Sequence, residues 1–251
     1  MKVHKFATTN PKVKECVIDL MPVDWFGDRD EYEKSDIRII TVGLNPSDNE
    51  FEKQSYKESV PLKERELSLF RFSAYNPQNP KTHRVALNNY YKTKNVYTQW
   101  FNSYEHVLNG MGASYFSNKG IKIRAIHTDI CSPWATCPTW SKLSKEVKNE
   151  LFAEGKAQWE CLVKELNPDV IIASIGKGYI KALGIESTHN ELCRFETKKD
   201  GKPRKSPLVI DVYKYNDIPF IAGGAGMVPF ALLGNNQKEE LGKIIRKKVL
   251  K

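Results

Sequence analysis

An α/β protein with a mostly parallel sheet is what this sequence predicts, and three observations carry that expectation. Short β-branched runs alternate with amphipathic helical patterns. The helical pattern over Lys145–Leu166 stops at Asn167-Pro168, and Asp169-Val170-Ile171-Ile172 opens a strand at once. The run 37–42 ends at Gly43 with Asn45-Pro46 behind it, as a buried strand does when it opens into a tight polar loop. Alternation of this kind implies βαβ crossovers, hence a three-layer α/β/α arrangement with about four central strands.

Those strands are expected at 37–42, 121–126, 170–175 and 219–222. Between the first two, Tyr97, Trp100, Phe101, Tyr104, Val107 and Leu108 recur at helical spacing and predict a helix over 97–111. Val147, Leu151, Trp159, Leu162 and Leu166 do the same for the helix before the third strand. A short helix over 180–183 follows Gly176-Lys177-Gly178, and a last one closes the chain over 237–249. Segments 192–197 and 208–213 read as an added hairpin, separated by a basic turn. The segment 50–95 is long, polar and rich in Tyr, Phe and Asn, and such loops are often functional. One domain over 1–251, carrying 50–95 as an insertion, is the expected organisation for 251 residues.

A hydrophobic share of 40% and a charged share of 27% suit a soluble globule, and no run is long enough to cross a bilayer. Residues 1–16 are polar and mixed in charge, so no secretory signal is expected and a cytoplasmic location follows; a monomer is expected separately. Net charge is +9 and the pI about 9.1, a balance suited to a polyanion such as nucleic acid. Lys198, Lys199, Lys202, Arg204 and Lys205 crowd one turn; Lys243, Arg246, Lys247, Lys248 and Lys251 crowd the C-terminus, where a solvated helix end is the simpler account. Five cysteines without Cys-x-x-Cys spacing argue against a disulfide framework or a zinc site, and neither a metal nor a cofactor is expected.

In a parallel sheet, loops at the carboxyl ends of the strands converge and build the binding site. The first loop presents Gly43, Leu44, Asn45, Pro46 and Ser47; Pro46 restricts Asn45, so its carboxamide is held in one place. The second runs from His127, Thr128 and Asp129 to Pro133. The third carries Lys177 after Gly176, far short of a phosphate-binding Gly-x-x-x-x-Gly-Lys-Ser/Thr loop, which excludes nucleotide hydrolysis by that device. The fourth is Gly223-Gly224-Ala225-Gly226-Met227-Val228-Pro229.

Gly-Leu-Asn-Pro-Ser after the first strand, 127–133 after the second, and Asn167-Pro168-Asp169 leading into the third together resemble the uracil-DNA glycosylase superfamily. The likeness is to its single-strand-selective and mismatch-specific branches and spans about 200 residues; segment 50–95 has no counterpart. The resemblance implies hydrolysis of the N-glycosidic bond of a damaged or deaminated base, uracil or related, flipped out of DNA. By the same likeness Asn45 holds the attacking water. Gly43, Leu44, Pro46, Ser47 and either Thr128 or Asp129 meet the base. Most members carry a His in the fourth loop; this chain has none there, and His127 is the nearest spare imidazole. Phe51 and Phe72 are stacking candidates, as are Phe70 and Tyr75, while Lys177, Gly224, Gly226, Met227 and Val228 are candidates for contact with DNA. Packing alone is the commoner account of any one of these rings and of a buried His127, and an Asp129 that caps a loop is as good a reading as base recognition. Two other readings of the whole chain stand beside the glycosylase: a nucleic-acid-binding module without catalysis, and an enzyme acting on free nucleotides or nucleosides.

Overall fold

The computed structural model describes residues 6–57, 59–117, 120–185, 190–223 and 228–250. Within them the helices are α1 Pro11–Lys14, α2 Arg29–Glu33, α3 Lys81–Asn88, α4 Thr98–Gly110, α5 Lys145–Leu166, α6 Lys177–Ala182 and α7 Asn235–Lys248. The strands are β1 Val17–Ile18, β2 Ile39–Gly43, β3 Ala113–Ser114, β4 Ile123–Asp129, β5 Ala135–Thr136, β6 Val170–Ser174, β7 Asn190–Thr197, β8 Pro203–Tyr215 and β9 Ile218–Gly223.

The main sheet has seven strands in the order β3-β4-β2-β6-β9-β8-β7: the four expected central strands β2, β4, β6 and β9, the expected hairpin β7–β8, and the short edge strand β3, which the sequence pattern does not show. β3 with β4, β2 with β6, and β6 with β9 pair in parallel, whereas β8 and β7 are added antiparallel. Every residue of β2 and β6 is buried, the expected state of central parallel strands covered on both faces. The hairpin is longer than its sequence pattern suggests. Its arms reach to Thr197 and Pro203, and Gly201 with φ 81° supplies the left-handed residue that the turn needs. β1 and β5 form a separate two-stranded sheet.

Two compact units make up the chain, each assembled from three segments: Met1–Asp28, Gly43–Tyr97 and His127–Glu165 in the first, Arg29–Val42, Thr98–Ile126 and Leu166–Lys251 in the second. The second holds most of the large sheet. Its helices α4 and α7 pack backbone to backbone, because a Cβ on Gly110 would fall 2.0 Å from the Glu239 carbonyl and one on Gly242 2.0 Å from that of Val107. Tyr104 on the buried face of α4 donates to the Val42 carbonyl at 2.6 Å.

The first unit holds β1, β5, α3, nearly all of α5, and the ends of β2 and β4. α5 lies against the loop after β4, where a Cβ on Gly155 would fall 2.1 Å from the Cys131 carbonyl. This helix ends where the sequence says, at Asn167, whose φ of 43° is one an Asn tolerates better than most residues. Among the described residues no helix is long and apolar enough to cross a membrane.

Candidate active site

The site is built on the ends of β2 and β4 within the first unit. Gly43 closes β2 because nothing larger fits. A Cβ there would lie 2.5 Å from Asp129 Oδ1 and 3.1 Å from His127 Nε2. The loops after the two strands are laced together by their backbones, Ile130 N–H donating to the Gly43 carbonyl at 3.1 Å and Cys131 N–H to that of Leu44 at 2.7 Å. Such lacing holds the following side chains in fixed positions, and Ser47 adds a bridge to Thr136.

Asn45 is half-buried, and its amide nitrogen donates to Thr136 Oγ1 at 3.0 Å, to the Pro46 carbonyl at 3.0 Å and to the Trp134 carbonyl at 3.4 Å. The donor end of the carboxamide is thereby spent on the protein, which orients the acceptor end. Pro46 is buried, and Ser47 caps a 3-10 turn over Asp48–Glu50 by accepting from Asn49 N–H at 3.2 Å.

Along β4, side chains alternate between faces. His127 and Asp129 share the face toward Gly43, with His127 Nε2 3.5 Å from Asp129 Oδ1 and both side chains almost wholly buried. His127 is also pinned by two backbone hydrogen bonds with Phe26, at 2.8 and 3.0 Å. Thr128 points the other way and accepts from Trp159 Nε1 of α5 at 3.0 Å. Of the two residues that the sequence left as alternatives, Asp129 faces the Asn45 loop and Thr128 faces α5.

Glu50 is the residue that sequence reading missed. It is buried, its Oε2 accepts from the Tyr90 hydroxyl at 2.7 Å, and Arg71 Nε lies 3.6 Å away. Burial is the largest influence on its carboxyl. The Tyr90 hydrogen bond and Arg71 pull the other way, Asp129 adds repulsion, and the net effect pushes the pKa up to about 7. Burial, and then Glu50 itself, push the Tyr90 hydroxyl well above its ordinary value. The Tyr90 oxygen accepts in turn from Tyr97 N–H at 3.1 Å.

The aromatic residues around this acid are packed as a wall. Phe51 and Phe72 stack with centroids 5.6 Å apart and planes at 29°, and Phe72 and Phe26 both pack on Tyr90. Phe51 and Phe72 are 0% and 1% exposed, so these two of the four stacking candidates are core residues, while Phe70 and Tyr75 are half-buried. Phe70 and Tyr97 keep partial exposure and flank Arg71, the partner of Glu50, whose guanidinium lies 4.6 Å from the first centroid and 5.9 Å from the second.

Segment 50–95 belongs to this site, because a buried cation folds it down. Arg65 Nη1 meets Glu52 at 2.8 Å and Asp48 at 3.3 Å, and its Nε donates to the Val60 carbonyl at 3.0 Å. Phe51 and Ser68 then pair through their backbones at 2.8 Å, which brings Arg71 back toward Glu50.

The candidates for contact with DNA belong to the second unit. Lys177 is exposed at the start of α6 and Val228 is half-buried, while Gly224, Gly226 and Met227 lie outside the described residues. Gly223 ends β9 directly against Phe230, whose ring leaves no room for a Cβ. Among the described residues no three His, Cys, Asp or Glu side chains converge as a metal ion would require. Comparison of the chain with protein-family models, with curated proteins and with solved structures finds no match in any of the three.

Proposed function

We propose that this protein hydrolyses the N-glycosidic bond of a damaged or deaminated base in DNA, with Asn45 orienting the water and Glu50 handling the proton. One observation carries the reading: Glu50, five residues beyond Asn45 on one braced loop, is a buried acid held by Tyr90 at 2.7 Å and Arg71 at 3.6 Å, and burial pushes its pKa up to about 7. Glycosidic hydrolysis needs such a group, because the departing base leaves with the bonding electron pair and must be met by a proton or a hydrogen-bond donor. Most members of the superfamily that the sequence resembles use a fourth-loop His for this task. Here the protonated form of Glu50 takes its place.

In the proposed step, water oxygen bonds to the anomeric carbon as the carbon–nitrogen bond breaks. The Glu50 proton passes to the base, and the proton released by the water restores Glu50. Asn45 cannot accept that proton, so its part is to hold the water through its carbonyl oxygen. Phe70 and Tyr97, half-exposed beside Arg71, supply faces on which a flipped base stacks.

The test is abasic-site formation in oligonucleotides bearing uracil, hypoxanthine, xanthine or an alkylated base. Cleavage of one of them is expected. Glu50→Gln should lower the single-turnover rate by roughly 10²–10⁴, the usual worth of a general acid, and the wild-type rate should fall as pH rises through about 7. Failure to cleave any substrate, or a Glu50→Gln rate equal to wild type, overturns the proposal. Binding without catalysis is the second reading, favoured by the three hydrogen bonds that give the Asn45 amide a bracing role. It predicts no cleavage and unchanged DNA affinity in Asn45→Ala.

A further inference from the structure

The second unit carries a charged surface that the glycosidic chemistry does not use. Where β7 turns into β8, residues 198–205, the last three of them already on β8, hold Lys198, Lys199, Lys202, Arg204 and Lys205 against a single acid, Asp200. All four lysines are exposed. Clusters of this kind are often solvated tips that fluctuate freely, but this one is braced.

Lys198 N–H donates to the Lys202 carbonyl at 2.7 Å and closes the turn. Arg204 points its guanidinium back into the protein, donating to the Thr197 carbonyl at 2.9 Å and the Leu232 carbonyl at 2.6 Å. Gln237 of α7 donates to Thr197 at 3.1 Å and so ties the β7 arm to the helix. Lys199 lies over Gly234, the residue that caps α7, where a Cβ would come within 3.4 Å of the Lys199 Cβ.

The electrostatics add up rather than cancel. The first turn of α7 contains no acidic residue, so the positive end of a 14-residue helix is left uncompensated beside Lys199. Lys238, one turn into that helix, is held below its ordinary pKa by burial and then by the charge of Lys199. Asp200 offsets Lys202 at 3.6 Å through an exposed pair, and Glu196 is the nearest other acid along β7. Leu232, 57% exposed, stands next to the Arg204 brace and offers an apolar contact among the cations.

We infer that the β7–β8 tip is a docking surface for the phosphate backbone of duplex DNA. Four lysines on a braced tip cover a patch on the order of 10 Å across at the usual rise per strand residue. Duplex DNA presents about six phosphate charges over that length, a density that an acidic peptide does not match. Bracing matters because the lysines need not be ordered from a floppy loop on binding. A tip that binds backbone reads no sequence. It holds the protein on DNA while another surface samples bases.

The inference stands apart from the glycosylase reading, because it is tested on a duplex without a lesion. Full-length protein is titrated with a fluorescein-labelled, lesion-free duplex, and anisotropy is followed at salt concentrations between about 50 and 200 mM. The variant combining Lys198→Gln, Lys199→Gln, Lys202→Gln and Lys205→Gln should flatten the slope of log affinity against log salt by about 3 to 4, near 0.9 per lost phosphate contact. A control combining Lys243→Gln and Lys247→Gln, equally exposed on α7, should leave the slope close to wild type. An unbound wild-type protein, an unchanged slope in the hairpin variant, or equal loss in the α7 control each overturns the assignment. So does retention on phosphatidylserine vesicles that is lost in the hairpin variant while its DNA slope stays put. Circular dichroism melting of the hairpin variant at the wild-type temperature shows that the fold is intact.

Discussion

The acid cluster around Glu50 and the basic tip between β7 and β8 handle charge in opposite ways. In the first, every acid is buried and individually costly, so each is held by a named partner: Glu50 by Tyr90 and the half-buried Arg71, Glu52 and Asp48 by the buried Arg65. In the second, the lysines are exposed, solvated and weakly paired, and only their sum has an effect. Removal from water amplifies one charge enough to move a pKa into the neutral range, whereas water and salt reduce a surface charge to a share of a collective field. A buried acid is thus suited to moving one proton, and an exposed basic tip to holding a polymer.

Stability measurements sharpen that contrast, beginning with the buried ion pair. Arg65→Met should strand Glu52 and Asp48 without their cation and cost about 3–5 kcal/mol, read as a shift in the urea midpoint. A loss below about 1 kcal/mol would mean that water reaches these carboxylates, and the contrast would weaken.

The next effect is the pH dependence contributed by Glu50. Its folded pKa lies above its ordinary 4.5, at about 7, so the stability that it contributes is fully present below the lower value and lost as pH rises through the upper one. At about 1.4 kcal/mol per pH unit, roughly 3 kcal/mol should disappear across that window. Glu50→Gln, which keeps the shape without the charge, should remove this part of the profile. Urea denaturation at a series of pH values checks it, and an unchanged profile would show that Glu50 is already solvated.

The smallest effect belongs to the exposed pair. Lys202→Gln breaks the 3.6 Å contact with Asp200 and should change stability by no more than about 0.5 kcal/mol. A larger loss would mean that the tip depends on this pair, and not on Arg204 and Gln237, for its position.

Much of the frame was legible in the sequence for local reasons. Strands β2, β4, β6 and β9 fall within a few residues of the apolar runs at 37–42, 121–126, 170–175 and 219–222, since buried parallel strands need continuous apolar residues. α5 has the limits read from its periodicity and from Asn167-Pro168. Gly43 was visible as the end of a strand, but the reason for it, Asp129 and His127 lying over its backbone, was not.

The acid cluster was largely illegible. Glu50 sits in a polar stretch of a chain whose residues are 27% charged, so nothing marks it as different from its neighbours. Phe51 and Phe72 have the residue type that a stacking platform needs, and that same type fills cores. Burial distinguishes the two roles, and burial is not a local property. Arg65, 13 residues from Glu52 and 17 from Asp48, is joined to them only through the folding of segment 50–95.

By itself the sequence determined the alternation of strands and helices, the rigid Asn45-Pro46 loop at a strand end, and the cationic excess with its concentration in one turn. All of these follow from interactions between residues near one another along the chain, or from simple addition of charge. Only the tertiary structure decided that Glu50 is dry, that Asp129 and not Thr128 faces Gly43, and that the lysine turn is braced on α7. Desolvation, and the bracing of one segment by another, depend on residues far apart in sequence, so neither exists until the chain has folded.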